Sequence, residues 1–299
     1  MQIKKTYIFL RRNSTVVHYI SIIMIKIENL RFNYSKCQVF DNLTIDFEKG
    51  KIYGLLGQNG VGKTTLLKLM AGLLKIQAGD CYINGFVPFK REPDFLSDIY
   101  YLPEDFAGQD IEVNRYAANR GAFYSRYDAE KFDALLKEFE IDGSRKFTKM
   151  SFGQQKKAIL AFALSVNAKL LLLDEPSNGL DIPSKTQFRR VISAAANDEN
   201  CIIISTHQVR DMENLIDPII ILERNGVMLH QSLERISEKL LFRLSDTNTG
   251  ENIIYSEPVV GGYAIVEENK TGETTKVNIE ALFNTVLLNR GKINEIFKT

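Results

Sequence analysis

Gly57, Gln58, Asn59, Gly60, Val61, Gly62, Lys63 and Thr64 satisfy the spacing GxxxxGK[ST], with Thr65 next in line. Glycines in that pattern let backbone N–H groups turn inward onto a β-phosphate, and a helix N-terminus behind them adds partial positive charge. The lysine then reaches the β- and γ-phosphates and the threonine hydroxyl serves as a ligand for Mg²⁺. The stretch stands where this mechanism needs it, directly after the apolar run 52–56 and at the start of a helix expected over 63–74.

Two further groups of residues can act on a phosphate held there. Four leucines at 170–173 run into Asp174 and Glu175, which puts two carboxylates at the carboxyl end of a buried strand, where open α/β sheets bind ligands. Asp174 is expected to hold Mg²⁺ through water, and Glu175 to polarise an attacking water as general base. A buried strand that merely ends in surface acids is common, so the assignment draws its strength from the phosphate loop earlier in the chain. Ser205, Thr206 and His207 end the next expected strand and would bring His207 to the same sheet edge, within reach of a γ-phosphate. His18 and His230 have no such placement and are read as structural.

The elements that must position these groups follow from hydrophobic period. Strands are expected through 25–56, at 81–83, 99–102, 170–173, 201–205 and 219–222, and helices at 154–166 and 183–196. Strand, helix and strand in that order imply a parallel sheet with covered faces. Between 105 and 149 the pattern turns helical, with Phe132, Leu135, Leu136 and Phe139 on one face, as an insertion in the α/β frame. Asn225 and Gly226 read as a hairpin turn. Residues 241–299 carry short alternating segments at 253–255, 263–266 and 275–279, a Lys270-Thr271-Gly272 turn and a closing helix near 279–288. They form a small α+β appendage expected to pack on the core.

Composition bounds the remaining possibilities. A chain of 299 residues, 44% hydrophobic and 25% charged, is ordinary globular material of roughly two domains. With 38 Lys+Arg against 37 Asp+Glu the net charge is +1, and the appendage holds six basic and eight acidic residues, so nucleic acid is not an expected partner. Cys37, Cys81 and Cys201 are too scattered for a disulfide framework or a zinc site and fit a reducing compartment. No apolar run approaches the ~18–20 residues that cross a bilayer as a helix. Residues 1–23 carry Lys4, Lys5, Arg11 and Arg12 and no acid, without the unbroken apolar core of a signal peptide, and are expected to lie outside the folded domain, which Met24 opens.

The run Met150-Ser151-Phe152-Gly153-Gln154-Gln155 resembles the LSGGQ signature of ABC ATPases, and from 24 to 229 the chain resembles an ABC nucleotide-binding domain, with its motifs in the family's order. The resemblance implies a P-loop NTPase of ABC type, with a helical subdomain at about 105–150 inside an ATPase domain at 24–239 and an accessory region at 240–299. It implies ATP and Mg²⁺ as cofactors and a Tyr34 ring stacked on adenine. It further implies that Ser151, Gly153 and Gln154 contact the γ-phosphate bound to the other subunit, with Asp181 in a loop that communicates across the dimer. Two departures stand out: Phe152 replaces the first signature glycine, and Glu104, in Tyr101-Leu102-Pro103-Glu104, replaces a glutamine that reaches Mg²⁺ and the water. The Leu-Pro-Glu form is similar to ATPase subunits of the ABC-2 exporter class. The leading expectation is therefore an ATPase subunit on the cytoplasmic face of the membrane, dimerising with itself or a second ABC ATPase, with the permease on separate chains. A non-transport ABC ATPase and a nucleotide-sensing regulator are the alternatives; one cassette in the chain weakens the first, and the presence of both Glu175 and His207 weakens the second.

Overall fold

The computed structural model describes residues 22–297 except 36, 107, 225 and 251. Most of the extension expected over 1–23 and Asn225 of the expected hairpin turn lie outside those residues. At the centre is a six-stranded sheet in the order β5-β6-β7-β3-β8-β9, built from β3 (Lys51–Leu56), β5 (Ile99–Leu102), β6 (Leu170–Asp174), β7 (Cys201–Thr206), β8 (Ile219–Glu223) and β9 (Gly226–Gln231). The first five in spatial order are parallel, and β9 closes the edge as the antiparallel arm of a hairpin with β8. The continuous apolar runs in β6, β7 and β8 are what a sheet covered on both faces requires.

Side chains alternate between the two faces with period two, and the core divides accordingly. Leu170 and Leu172, Cys201 and Ile203, and Ile220 and Leu222 point to one side. There they meet helix α1 (Lys63–Met70) and a separate antiparallel sheet, β2-β1-β4, formed by β1 (Ile23–Tyr34), β2 (Cys37–Glu48) and β4 (Ala78–Ile83). Leu171 and Leu173, Ile202 and Ile204, and Ile219 and Ile221 point to the other side, into the helical insertion and the C-terminal region. The α/β reading holds, but the expected strands at 25–56 and 81–83 divide between two sheets. Only β3 among them joins the parallel one.

Helix α2 (Pro93–Asp98) precedes β5, and the insertion that follows β5 comprises α3 (Val113–Gly121), α4 (Ala129–Glu138) and a 3₁₀ turn at Phe147–Lys149, leading into α5 (Phe152–Ser165). Phe162 of α5 anchors it, with the rings of Tyr100, Tyr116, Tyr124, Tyr127 and Phe132 at centroid distances of 5.7, 5.4, 6.3, 5.7 and 6.4 Å. Helix α6 (Ile182–Ala195) returns the chain to β7. The helix expected over 63–74 ends early, at Met70, because Gly72 takes a left-handed φ of +67°. A Cβ there would lie 2.2 Å from the Pro88 carbonyl oxygen, so the chain turns where only glycine fits.

Beyond α7 (Leu233–Lys239), strands β10 (Leu240–Ser245), β11 (Ile253–Val259) and β12 (Gly262–Glu268) make a third, antiparallel sheet in the order β10-β12-β11, followed by α8 (Ile279–Leu288) and α9 (Arg290–Phe297). The segment expected as a strand at 275–279 is not one. Its contact with β10 runs through a side chain, the Phe242 amide donating to Thr275 Oγ1 at 2.9 Å, and Asn278 then caps α8 by accepting from the Ala281 amide. Val277, Leu282, Val286 and Ile293 join the same buried cluster as Leu171 and Ile204, so this region packs on the core.

His230 sits beside Tyr53 and Phe47 with its pKa lowered by burial, as a structural residue would. Cys81 and Cys201 are buried, which pushes the Cys81 thiol up to about 12, while Cys37 is exposed. Phe162→Ala should remove the anchor of the insertion and lower the unfolding free energy in urea titration by ~3–5 kcal/mol, the usual cost of emptying a buried aromatic site.

Candidate functional site

β3 delivers the chain into the loop 57–62, and α1 carries it away. Gly62, at φ +110°, lies against Val39 and Phe40, where a Cβ would approach within 2.7 Å of a Val39 carbon. No side chain caps the N-terminus of α1 and its first turn has no acidic residue, which leaves the first amides to an anion. Gln58, Asn59 and Gly60 are exposed, Gly57, Val61 and Thr65 are buried, and Thr64 is half-buried at the helix start. Lys63, only 6% exposed, donates from Nζ to the Gly57 carbonyl at 2.8 Å and the Gln58 carbonyl at 3.3 Å. Burial lowers its pKa, and the charges of Glu175, Asp174 and Glu104 oppose that shift.

Parallel pairing of β6 with β7 sets the acids in place. Asp174, 1% exposed, lies opposite Ser205 and accepts from its Oγ, while its other oxygen accepts from the Tyr101 hydroxyl at 3.2 Å. That hydroxyl is held well above the ordinary phenol pKa, first by burial and then by the Asp174 charge. Glu175, 4% exposed, takes a left-handed φ of 44° and donates its amide to the Ser205 carbonyl at 3.1 Å. Its Oε1 is 2.8 Å from His207 Nδ1 and 3.9 Å from Lys63 Nζ, and its Oε2 accepts from the His207 amide at 3.3 Å. Lys63, Asp174, Glu175 and His207, distant in sequence, thus meet at the carboxyl ends of β3, β6 and β7.

Glu104 joins this group from the end of β5. Its Oε1 accepts from the Asn178 amide at 2.9 Å, Asn178 Oδ1 accepts from Gln208, and Gln208 Oε1 accepts from Lys185, which pairs with Asp211 at 2.7 Å. Sequence reading missed this relay, together with Tyr101 and Ser205. The strand end that carries His207 was the available signal for Ser205, whereas Tyr101, on β5, had none. Tyr34 presents an exposed ring packed edge-on to Phe32 at 4.9 Å. Ser151 and Gln154 form a reciprocal capping box at the start of α5, with Gly153 between them, and Asp181 caps α6 by accepting from the Ser184 amide at 2.9 Å. These four residues stand at helix starts away from the lysine-carboxylate group and approach it through Lys156 and the Asn178–Gly179 turn.

Among the described residues no three His, Cys, Asp or Glu side chains converge as a self-sufficient metal site. A hydroxyl at a helix start and a buried, hydrogen-bonded carboxylate are nonetheless the hard oxygen donors that suit Mg²⁺, which keeps several waters and takes phosphate oxygens as ligands. Thr64 and Asp174 fit that ion, with Glu104 as a further oxygen donor.

The sequence profile of the ABC transporter family matches residues 40–178. The bacitracin transport ATP-binding protein BcrA of Bacillus licheniformis is 32% identical over 241 residues, spanning 75% of this chain and 76% of that one. The lantibiotic transport ATP-binding protein SrtF of Streptococcus pyogenes is 28% identical over 211 residues, spanning 71% and 92%. Among solved structures, an ATP-binding subunit of an ABC transporter superposes with a TM-score of 0.66 at 23% identity, over 71% of this chain and 91% of that one, a likeness of fold.

Lys63→Ala takes the ammonium out of a loop shaped around it and is expected to weaken ATP binding by roughly 10-fold or more, the weight of a charge-assisted hydrogen bond. Calorimetry would read the change, and an unaltered affinity would remove Lys63 from the phosphate site.

Proposed function

The chain belongs to the ABC transporter ATP-binding family, and on that premise we propose that it is the ATP-hydrolysing subunit of an exporter whose membrane-spanning helices are carried by separate chains. The observation that carries the hydrolytic part is the meeting of Lys63, Asp174, Glu175 and His207 at one sheet edge, in front of an uncapped helix start. The names of the bacitracin and lantibiotic relatives support the exporter part.

In this reading the loop amides and Lys63 hold the β- and γ-phosphates, and the exposed Tyr34 ring stacks on adenine. Thr64, Asp174 and Glu104 would hold Mg²⁺, which would supply positive charge to the phosphate oxygens. Glu175 accepts a proton from the attacking water as the water oxygen bonds to the γ-phosphorus. The bond from that phosphorus to the β,γ-bridging oxygen breaks, and ADP leaves with the electron pair. His207 fixes the Glu175 carboxylate through ring and backbone and faces the γ-phosphate from β7. Ser151, Gly153 and Gln154 engage ATP of a second ATPase subunit, identical or different, and Asp181 lies at the contact between the two.

We assign residues 24–239 to the ATPase unit and 240–299 to an accessory region. A cleft of about 670 Å³ separates the β5 end from the insertion, lined by Tyr100, Phe106, Tyr116, Arg120, Phe123 and Tyr124 and bordered by Pro103, next to Glu104. It suits a helix of the membrane subunit, which would place the protein peripherally at the cytoplasmic face. Among the described residues no helix is long and apolar enough to cross a membrane.

Glu175→Gln should leave ATP binding intact and lower turnover by ~10²-fold or more, with the ATP-bound dimer accumulating in size-exclusion chromatography. Near-normal ATPase activity would overturn the assignment. Phe123, 78% exposed at the cleft, is outside the nucleotide site. Phe123→Asp is expected to cut co-purification with the membrane chain by roughly tenfold, the weight of an aromatic anchor, while ATPase activity of the isolated subunit stays at its original level. Undiminished co-purification would sink the cleft as the docking site.

A further inference from the structure

Lys156 is a buried lysine that none of the roles above employs. It lies in α5 one turn after Phe152 and is 3% exposed. Its Nζ donates to the Glu175 carbonyl at 2.8 Å and to the Asn178 carbonyl at 3.1 Å, the two ends of the turn that leads out of β6. The turn closes on itself by the Asn178 amide donating to the same Glu175 carbonyl at 3.3 Å. The Phe152 ring lies 5.3 Å from the ammonium and also against Gly179, where a Cβ would come within 2.6 Å of ring carbons. At i and i+4 the ring and the ammonium share one helix face, and an aromatic face is a favourable neighbour for a desolvated cation.

An ammonium deprived of water is costly unless its donors and charge are answered. Burial lowers the Lys156 pKa, and Glu104, Glu175, Asp105 and Asp174 push it back up. Two carbonyls and a ring face complete its surroundings. Glu175, for its part, holds a left-handed backbone that a non-glycine residue adopts only where its environment over-determines it. Its polar groups are held from two sides: the amide by Ser205 of β7 and the carboxylate by His207 just beyond that strand, and the carbonyl by Lys156 of α5.

We propose that Lys156 is a positioning residue for Glu175: by clamping both ends of the 175–178 turn under the Phe152 ring, it ties the carboxylate of its own nucleotide site to the helix whose first residues engage the nucleotide of the other subunit. The proposal rests on Glu175 being the general base. It gives the phenylalanine at the signature position a function, since glycine there would leave the ammonium open to water on one side. It also makes the seat of Glu175 depend on the position of α5, so that seating α5 on the second subunit's ATP sets the base in its own subunit.

Lys156→Met keeps the volume and removes the donors. It is expected to lower kcat by about 10-fold to 100-fold, the range that follows a displacement of a catalytic group by about an ångström, with ATP affinity by calorimetry and KM within about twofold of the starting protein. Lys156→Arg, which keeps charge and donors, is expected to recover at least about half of the lost logarithm of kcat. In the Glu175→Gln background, where no base remains to be positioned, Lys156→Met is expected to change the residual rate by less than about twofold, the non-additivity of residues that act as a unit. An unchanged kcat in the Met variant, an Arg variant as slow as Met, or equal losses in both backgrounds would each overturn the proposal. If Glu175→Gln alone retained near-normal turnover, the base assignment itself would fail, and that outcome is visible before any Lys156 variant is compared. Should the Met variant not fold, Lys156→Gln, whose shorter side chain carries an uncharged amide in place of the ammonium, takes its place in the same cycle under the same criteria.

Discussion

Lys63, Asp174 and Glu175 are all nearly excluded from solvent, and a charge so placed is tolerated only where its neighbours answer it. Lys63 spends its donors on two loop carbonyls while drawing on the fields of three carboxylates. Asp174 receives two hydroxyls, from Ser205 and Tyr101, and Glu175 receives an imidazole and an amide from His207. Removing one member would strand the rest, so the group can exist only if β3, β5, β6 and β7 bring their ends into register. A fold that met this requirement before nucleotide arrives has its electrostatic work largely done in advance, the condition under which fixed dipoles and charges act most strongly on phosphate transfer.

That register rests on the two-faced packing of the central sheet. Successive residues of β6, β7 and β8 send their side chains to opposite clusters, so neither strand can slip by one residue without turning every leucine or isoleucine to the wrong face. The alignment of Asp174 with Ser205 is one rung of that ladder, directly beyond the pairing of Leu173 with Ile204. Burial of plain aliphatic side chains therefore fixes, to within hydrogen-bonding distance, where the polar ends come to lie.

Helix α5 links this centre to the rest of the molecule. Phe162 packs it into the aromatic cluster of the insertion, its first turn carries Ser151, Gly153 and Gln154, and between them Lys156 reaches into the turn after β6. On the far side, Asn178 joins Glu104 to Gln208, and Arg210 and Glu213 in the following segment pair with Glu280 and Lys276 of the C-terminal region. The C-terminal region thus touches the segment that follows His207 and the insertion touches the one that follows β5. Movements at either surface have a short chain of packed and hydrogen-bonded groups along which to act.

Within the chain, local chemistry is written locally. The glycine-rich turn with its lysine and threonine, the four leucines before Asp174 and Glu175, and the strand that ends at His207 were legible because each depends on a short run of residues and on the period of one element. The division of 25–56 between two sheets, the absence of a strand at 275–279 and the early end of α1 were not legible. Strand pairing is chosen by partners far away in sequence, and Gly72 turns the chain because of the Pro88 carbonyl packed against it. The same holds for Tyr101, Asn178, Gln208 and Lys156, whose residue types carry no signal of their own. Their roles arise from what they meet across the sheet edge: a buried carboxylate, a side-chain amide and the two carbonyls of a turn. The sequence alone determined where the phosphate-loop spacing, the paired carboxylates and the strand-end histidine stand along the chain; the tertiary structure decided which uncharged and oppositely charged neighbours hold them together, because a buried charge is stabilised by groups brought close in space from distant positions in the chain.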